Sequence, residues 1–200
     1  MLKIWGRANS SNVQKVLWTC EEIGIAFERI DAGGAFGKTK EAAYLALNPN
    51  GKVPTLVDGD TVVWESNTIL RYLSYAYSDG RFYSPDPRIR TLSGRWMDWQ
   101  LGTLNIPYLG IFREAKKPAA ERAASWDADA KELKALLEIL DKSIAGGPWI
   151  TGAEMSLADF ALGPIIHRCL DFPIDLPELA ALRAWREKIA ARPAFQKATR

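Results

Sequence analysis

The sequence predicts a small α/β domain followed by an all-helical domain. Strand-like and helix-like patterns alternate as far as Tyr77, and the strand signal vanishes beyond it. Ser78-Asp79-Gly80 and Ser84-Pro85-Asp86-Pro87 have the composition of a linker. We therefore expect an α/β domain at residues 1–78, a linker at 79–87 and a helical domain at 88–200.

The α/β part is predicted to have the order β-α-β-α-β-β-α. Leu2–Trp5 and Ala26–Ile30 are short strand-like runs separated by a helical pattern that ends at Gly24. Because strand–helix–strand crossovers are right-handed and parallel, these two strands should form one β-α-β unit. A short helix is expected next, at Glu41–Leu47.

A tight β-hairpin should complete the sheet. Thr55–Val57 and Thr61–Trp64 are rich in β-branched and aromatic residues, and Asp58-Gly59-Asp60 lies between them. The polar run Glu65-Ser66-Asn67 then opens a helical pattern, which makes Ser66 or Asn67 the expected helix cap.

The second half contains helical patterns only. Helices are predicted at Arg88–Asn105, which Pro107 should end or kink, at Ala119–Ile144, and from Pro177 to a stop at Arg192-Pro193. Ser156 and Asp159 have the spacing of a capping box, so we expect Asp159 to have a folding role.

The composition narrows the class of protein. Hydrophobic residues make up 48% of the chain, charged residues 25%, and the net charge is +2. A charge this small favours no nucleic-acid partner, and no apolar run is long enough for a signal segment or a membrane span. Cys20 and Cys169 have no spacing typical of a disulfide framework or a metal site. We expect a cytoplasmic protein with no metal.

The start of the helix at Glu65-Ser66-Asn67 is the first candidate site. Unsatisfied N–H groups and the positive end of the helix dipole suit an anion, whereas the carboxylate of Glu65 suits a cation. An amino-acid zwitterion carries both groups. The alternative is that Ser66 or Asn67 only caps the helix.

The loop Asn9-Ser10-Ser11-Asn12 is the second candidate site. A nucleophilic serine usually requires a base, but the one histidine, His167, is far away in the helical half. A hydroxyl at this helix start could instead donate a hydrogen bond to the thiolate of a ligand. The alternative is that Ser10 or Ser11 is only an N-cap.

These motifs together resemble those of the cytosolic glutathione S-transferases, in particular the bacterial enzymes similar to the theta, phi and beta classes. The resemblance covers essentially the whole chain. It is carried by four motifs in family order: Asn9–Trp18, Asn48–Pro54, Trp64–Leu70 and Ser156–Asp159. It implies a thioredoxin-like glutathione-binding domain, an all-α C-terminal domain and a homodimer acting in detoxification.

The resemblance also implies residue roles, with glutathione as cosubstrate and no metal. Ser10 would hold the glutathione sulfur as a thiolate, and Asn12 would be a helper amide. Val53 would pair through its backbone with the cysteinyl part, beside a cis-proline at Pro54. The remaining roles would be Lys52 near the glycyl carboxylate, Glu65 and Ser66 on the γ-glutamyl group, and Tyr108, Phe112 and Arg113 in the electrophile pocket.

Three functions remain open at this point. Conjugation of glutathione to small apolar electrophiles is the first. The second is glutathione-dependent reduction of disulfides or peroxides, which Asn12 leaves possible, although Asn9–Asn12 stands where redox relatives carry Cys-x-x-Cys. The third is a non-catalytic glutathione-binding regulatory protein, against which the intact Val53-Pro54 and Glu65-Ser66 argue.

Overall fold

A computed structural model describes all 200 residues, which form two compact units. The first unit comprises Met1–Pro87 and Ala190–Arg200, and the second comprises Arg88–Ile189. The first unit contains β1 (Leu2–Trp5), α1 (Ser11–Ile23), β2 (Phe27–Ile30), α2 (Ala42–Leu47), β3 (Thr55–Asp58), β4 (Thr61–Trp64) and α3 (Ser66–Ser78). The predicted β-α-β-α-β-β-α order is confirmed.

The four strands form one mixed sheet in the order β2-β1-β3-β4. β1 and β2 are parallel, as the crossover through α1 requires, while β1 pairs with β3 and β3 pairs with β4 in antiparallel fashion. Ile4 and Leu56 are fully buried on this sheet, and Ile69, Leu70 and Leu73 of α3 are fully buried as well. The apolar residues of the predicted strands and helices therefore form the core of this unit.

The second unit is entirely helical, as predicted. It contains α4 (Pro87–Trp99, of which Pro87 belongs to the first unit), a π-helical segment (Gln100–Leu104), α5 (Asn105–Glu114), α6 (Trp126–Ile144), α7 (Leu157–Cys169) and α8 (Ala180–Ala190). None of the helices has the length and apolar character needed to cross a membrane.

Three helix boundaries in this unit differ from the prediction, and one of them is the start of α8, which lies at Ala180 instead of Pro177. The helix predicted to reach Asn105 ends as α4 at Trp99, and a π turn closed by the Asn105 N–H to the Gln100 carbonyl leads into α5, which has Pro107 in its first turn. The long helix begins at Trp126 instead of Ala119. Its expected first turns are lost because the Ala123 N–H donates to the Glu114 carboxylate at 2.8 Å.

The segment beyond Arg192 also differs from the prediction. Pro193 does not merely stop a helix but occupies the first turn of another, α9 (Pro193–Thr199), which groups with the first unit. There the ring of Phe195 meets Trp18 of α1 edge-on at 4.9 Å. Arg192 pairs with Glu22, and Lys197 pairs with Glu21 at 3.1 Å.

The capping box of α7 forms as predicted. The Ser156 N–H donates to the carboxylate of Asp159 at 2.8 Å, and the Ser156 side chain accepts from the backbone of the first turn. Asp159 also accepts from the Ile150 N–H at 3.0 Å and from the Trp185 indole at 2.9 Å. Burial raises the pKa of Asp159, and these hydrogen bonds offset part of that rise.

Candidate functional site

The register of the sheet brings the candidate loops to one edge. Trp5 pairs with Thr55, and Thr55 pairs with Trp64, so these three residues form one row across three strands. β1 and β4 end at this row and β3 begins there. The loop after Trp5, the Val53-Pro54 segment before Thr55, and Glu65 after Trp64 must therefore lie beside one another.

Ser10 and Ser11 have different environments at the start of α1. Ser10 is the N-cap, with φ −87° and ψ 124°, and its carbonyl accepts from the Gln14 N–H at 2.8 Å. Its hydroxyl makes no capping hydrogen bond, and the residue is half-buried. Ser11 is the first helical residue and is buried. Between the two serines, Ser10 therefore has the accessible hydroxyl that is not used as a cap.

The N-cap residue of α3 is not the one expected from the sequence. Glu65 is the N-cap, with a φ of 69°, and Ser66 is the first helical residue. The hydroxyl of Ser66 donates to the side-chain oxygen of Asn12 at 3.4 Å. The expectation that Ser66 or Asn67 caps this helix is therefore wrong, and Ser66 instead connects α3 with the first turn of α1.

Tyr44 and Asn48 fix the backbone that precedes β3. The Tyr44 hydroxyl donates to the Lys52 carbonyl at 2.6 Å, and the Asn48 amide donates to the same carbonyl at 2.9 Å. Both side chains also contact the hydroxyl of Thr55, at 2.8 and 3.0 Å. The peptide bond between Val53 and Pro54 is cis, as the family resemblance implies. Two buried side chains thus hold Val53 and its flanking residues in place.

Basic side chains lie along the same loop. Lys52 is exposed there. Lys40, which the sequence patterns did not single out, has its ammonium group beside Gly51, where an added Cβ would lie 3.2 Å from Nζ. The side-chain amide of Asn50, in the same loop, donates a hydrogen bond to the carboxylate of Glu65 at 3.4 Å. A ligand here would meet positive charge at one end and the Glu65 carboxylate at the other.

A buried lysine lies beneath the start of α3. Lys15 is fully buried, and its ammonium group is 3.4 Å from the side-chain oxygen of Asn67. Burial lowers the pKa of Lys15 to about 7, and the negative charge of Glu65 offsets part of that shift. The apolar residues of α1 at Val13, Val16 and Leu17 lie on the opposite face, so no sequence pattern indicated that Lys15 is buried.

The three residues predicted for the electrophile pocket have unequal positions in the second unit. The Tyr108 ring is buried, with its centroid 5.7 Å from Phe112 and 6.0 Å from Phe172. Phe112 is half-buried beneath the guanidinium of Arg168, and Arg113 is exposed. The structure therefore brings Tyr108 and Phe112 into one aromatic stack that does not include Arg113.

Neither cysteine has the properties of a nucleophile. Cys20 and Cys169 are free and fully buried. Burial raises the pKa of Cys20 to about 12 and that of Cys169 further. Both thiols therefore stay protonated at neutral pH, and Cys20 is a core residue.

Comparison with known proteins identifies the family. The glutathione S-transferase N-terminal domain matches residues 9–75, and the glutathione S-transferase C-terminal domain matches residues 104–193. Glutathione S-transferase GstB of Escherichia coli K12 is 39% identical over 98% of this chain and 97% of its own. The disulfide-bond oxidoreductase YfcG of the same organism is 30% identical, over 96% of this chain and 91% of its own.

A solved structure agrees with these sequence matches. The theta class glutathione S-transferase of Xanthomonas axonopodis pv. citri, crystallised with glutathione bound, is 42% identical and superposes with a TM-score of 0.93. The match covers 99% of this chain and 96% of the other. The fold, the four motifs and the full-length identity agree, and the chain belongs to the glutathione S-transferase family.

Proposed function

We propose that the protein is a glutathione S-transferase that conjugates the glutathione thiolate to small apolar electrophiles. The observation that carries the proposal is the position of Ser10. Its hydroxyl is accessible, caps no helix, and lies at the edge where Val53 and Ser66 converge. A hydrogen-bond donor beside the cysteinyl position would stabilise a thiolate.

Each part of glutathione has a matching group at this edge. The γ-glutamyl carboxylate would bind Ser66 and the N–H groups that open α3, and its ammonium group would bind Glu65. The backbone of Val53 would pair with the cysteinyl part, next to Pro54. Lys52, together with Lys40, would face the glycyl carboxylate.

The reaction requires the bound sulfur to be ionised and close to the electrophile. A free thiol has a pKa of about 8.5, so lowering it by one or two units would ionise most of the glutathione at neutral pH. In a chloronitrobenzene, the thiolate forms the new bond to the ring carbon and chloride leaves with the electron pair. Asn12 would contribute by accepting the Ser66 hydroxyl until glutathione binds, when that hydroxyl would turn to the carboxylate.

The proposal is tested by titrating bound glutathione through the ultraviolet absorbance of its thiolate. Ser10→Ala should raise the pKa of the bound thiol by about one unit or more, because one donor to the thiolate is lost. The matched control is Ser11→Ala, which removes the neighbouring buried hydroxyl and should leave this pKa unchanged. An unchanged pKa in Ser10→Ala would remove Ser10 from the mechanism.

Reduction of mixed disulfides is the second candidate function. It is supported by the relative named as a disulfide-bond oxidoreductase and by the amide of Asn12 in the same loop. Turnover of a chloronitrobenzene and of a glutathione mixed disulfide, measured side by side, separates the two activities. A protein that turns over only the mixed disulfide is a reductase.

We also propose that the enzyme is a cytoplasmic homodimer. Val62 and Trp64 are 38% and 40% exposed on the edge strand β4, and an unpaired strand edge with exposed apolar groups is a surface on which another chain can pack. Light scattering after size-exclusion chromatography should give twice the mass of one chain. The electrophile pocket at Tyr108, Phe112 and Arg113 remains a prediction.

A further inference from the structure

Arg7 presents a guanidinium group that no other residue of the chain engages. It lies in the loop between β1 and α1 and is half-buried. Its side chain makes no hydrogen bond, ion pair or ring contact within the described residues 1–200. A half-buried guanidinium has five donors and has lost part of its hydration, so it favours an anionic partner.

The other arginines around the first unit's sheet are engaged. Arg29 pairs with Asp31 and donates to the carbonyl of Gly6 at 3.0 Å. Arg71 lies over the ring of Tyr83, with 5.8 Å between its Cζ and the ring centroid, and Arg192 pairs with Glu22. The open donors of Arg7 are therefore unusual within this unit.

Two glycines hold the Arg7 side chain against the site. Gly33 and Gly34 have φ values of 77° and 58°, and an added Cβ at Gly34 would lie 3.1 Å from Cδ of Arg7. An added Cβ at Gly33 would lie 3.5 Å from Nη1 of Arg7 and 3.2 Å from a methyl group of Val53. The absence of side chains here lets the arginine lie flat on the loop, with Nη1 close to Val53.

The same arginine adjoins the proposed sulfur position. The Ser10 N–H donates to the Arg7 carbonyl at 3.2 Å, so Arg7 and Ser10 are the two ends of one turn. The backbone of Arg7 therefore adjoins Ser10, which would hold the sulfur, and its Nη1 lies over Gly33 on the side that a methyl group of Val53 also meets.

We propose that Arg7 is a specificity-determining residue that binds an anionic group, such as a carboxylate, on the electrophile. The inference rests on the proposed function, because it takes glutathione as the first substrate. The two carboxylates of glutathione already have partners, one at Ser66 and the other at Lys40 and Lys52. The open donors of Arg7 are therefore available to the second substrate, and the enzyme prefers electrophiles that carry a negative charge.

The test compares two electrophiles that differ in charge. Chlorodinitrobenzoate carries a carboxylate, and chlorodinitrobenzamide is its neutral analogue of nearly equal size. Arg7→Gln should lower kcat/KM for the benzoate about tenfold, the size expected for one charge-assisted hydrogen bond at a half-buried site, and should change it less than about twofold for the benzamide. Lys38→Gln removes an exposed positive charge from the same glycine-rich loop and should leave the ratio unchanged.

Two results would overturn the inference. An equal loss for both electrophiles means that Arg7 acts on the reaction and not on the charge of the substrate. A raised KM for glutathione, with an unchanged benzoate-to-benzamide ratio, means that Arg7 binds a glutathione carboxylate.

A protein that turns over neither electrophile would contradict the proposed function without deciding the role of Arg7. Quenching of tryptophan fluorescence by nitrobenzoate and nitrobenzamide, at saturating glutathione, then decides it. The inference stands if wild type prefers nitrobenzoate and Arg7→Gln loses that preference, and it falls if the preference is absent or survives the substitution.

Discussion

Replacing the buried Lys15 with Met should stabilise the ligand-free protein at neutral pH. Burial lowers the pKa of Lys15 from its ordinary value of 10.5 to about 7. Since one pKa unit corresponds to about 1.4 kcal/mol, keeping this ammonium group charged in the folded state costs at most about 5 kcal/mol. Losing its hydrogen bond to Asn67 costs about 1 kcal/mol. Relaxation of the protein around the ammonium group makes the real cost of burying its charge smaller than this upper limit. We therefore expect Lys15→Met to raise the free energy of unfolding by about 1–3 kcal/mol.

The gain should depend on pH in a defined window. Between pH 7 and 10.5, Lys15 is protonated in the unfolded chain and largely neutral in the folded one. The unfolded state therefore binds more protons, and the stability of the wild type rises with pH by up to about 1.4 kcal/mol per unit. The advantage of Lys15→Met should be full below pH 7, shrink above it, and be close to zero near pH 10.

Urea unfolding followed by tryptophan fluorescence measures this difference, at one fixed protein concentration and at pH 7 and pH 9.5. Lys3→Met is the matched control, because Lys3 is exposed on β1 and its replacement should shift stability equally at both pH values. Glutathione should bind Lys15→Met several-fold more weakly, since the support beneath Asn67 and Glu65 is lost. A variant that is less stable than wild type at pH 7, or whose advantage does not change with pH, would refute the reasoning.

Three further substitutions test the supports of the site and of the fold. Tyr44→Phe removes the hydroxyl that holds the Lys52 carbonyl, so calorimetry should give a several-fold higher Kd for glutathione, whereas the remote Tyr72→Phe should not change it. Ser66→Ala should raise the same Kd about tenfold through loss of a charge-assisted hydrogen bond, and an unchanged Kd would exclude Ser66 from the carboxylate site. Asp159→Ala leaves the donors of Ile150 and Trp185 buried without an acceptor, so chemical unfolding should show a loss of about 3–5 kcal/mol. Asp159→Asn retains one acceptor oxygen and should lose less; an equal loss in both would contradict the hydrogen-bond explanation.

The element order was predictable because it depends on local periodicity and turn residues. The β-hairpin at Thr55–Trp64 and the capping box of Ser156 and Asp159 are encoded within a few residues, and the structure forms both. Sequence periodicity does not predict that Ser10, Val53 and Ser66 lie together at one edge of the sheet. It follows from the pairing of Trp5 with Thr55 and of Thr55 with Trp64, which only the register reveals.

The features that sequence patterns missed depend on contacts outside each local pattern. Residues from Ala119 have good helix propensity, but the contact of Ala123 with Glu114 prevents a helix from forming there. Lys15 is fully buried although it lies opposite the apolar face of α1, and its partner Asn67 lies 52 positions away in sequence. No sequence pattern indicates that the Arg7 guanidinium lacks a partner within the chain, because this depends on the folded positions of all its neighbours.

The packing of α9 on α1 has a consequence for how the chain folds during synthesis. Trp18 is fully buried against Phe195, and Glu22 meets Arg192 across a sequence separation of 170 residues. A nascent chain that has reached the end of α3 already contains every residue of the proposed glutathione site. It still lacks the helix that covers Trp18, so one face of α1 stays exposed to water until translation has passed through the whole helical unit. A ribosome-bound chain therefore exposes an apolar, aggregation-prone face along the helix that carries Ser10 at its start, where a chaperone could bind.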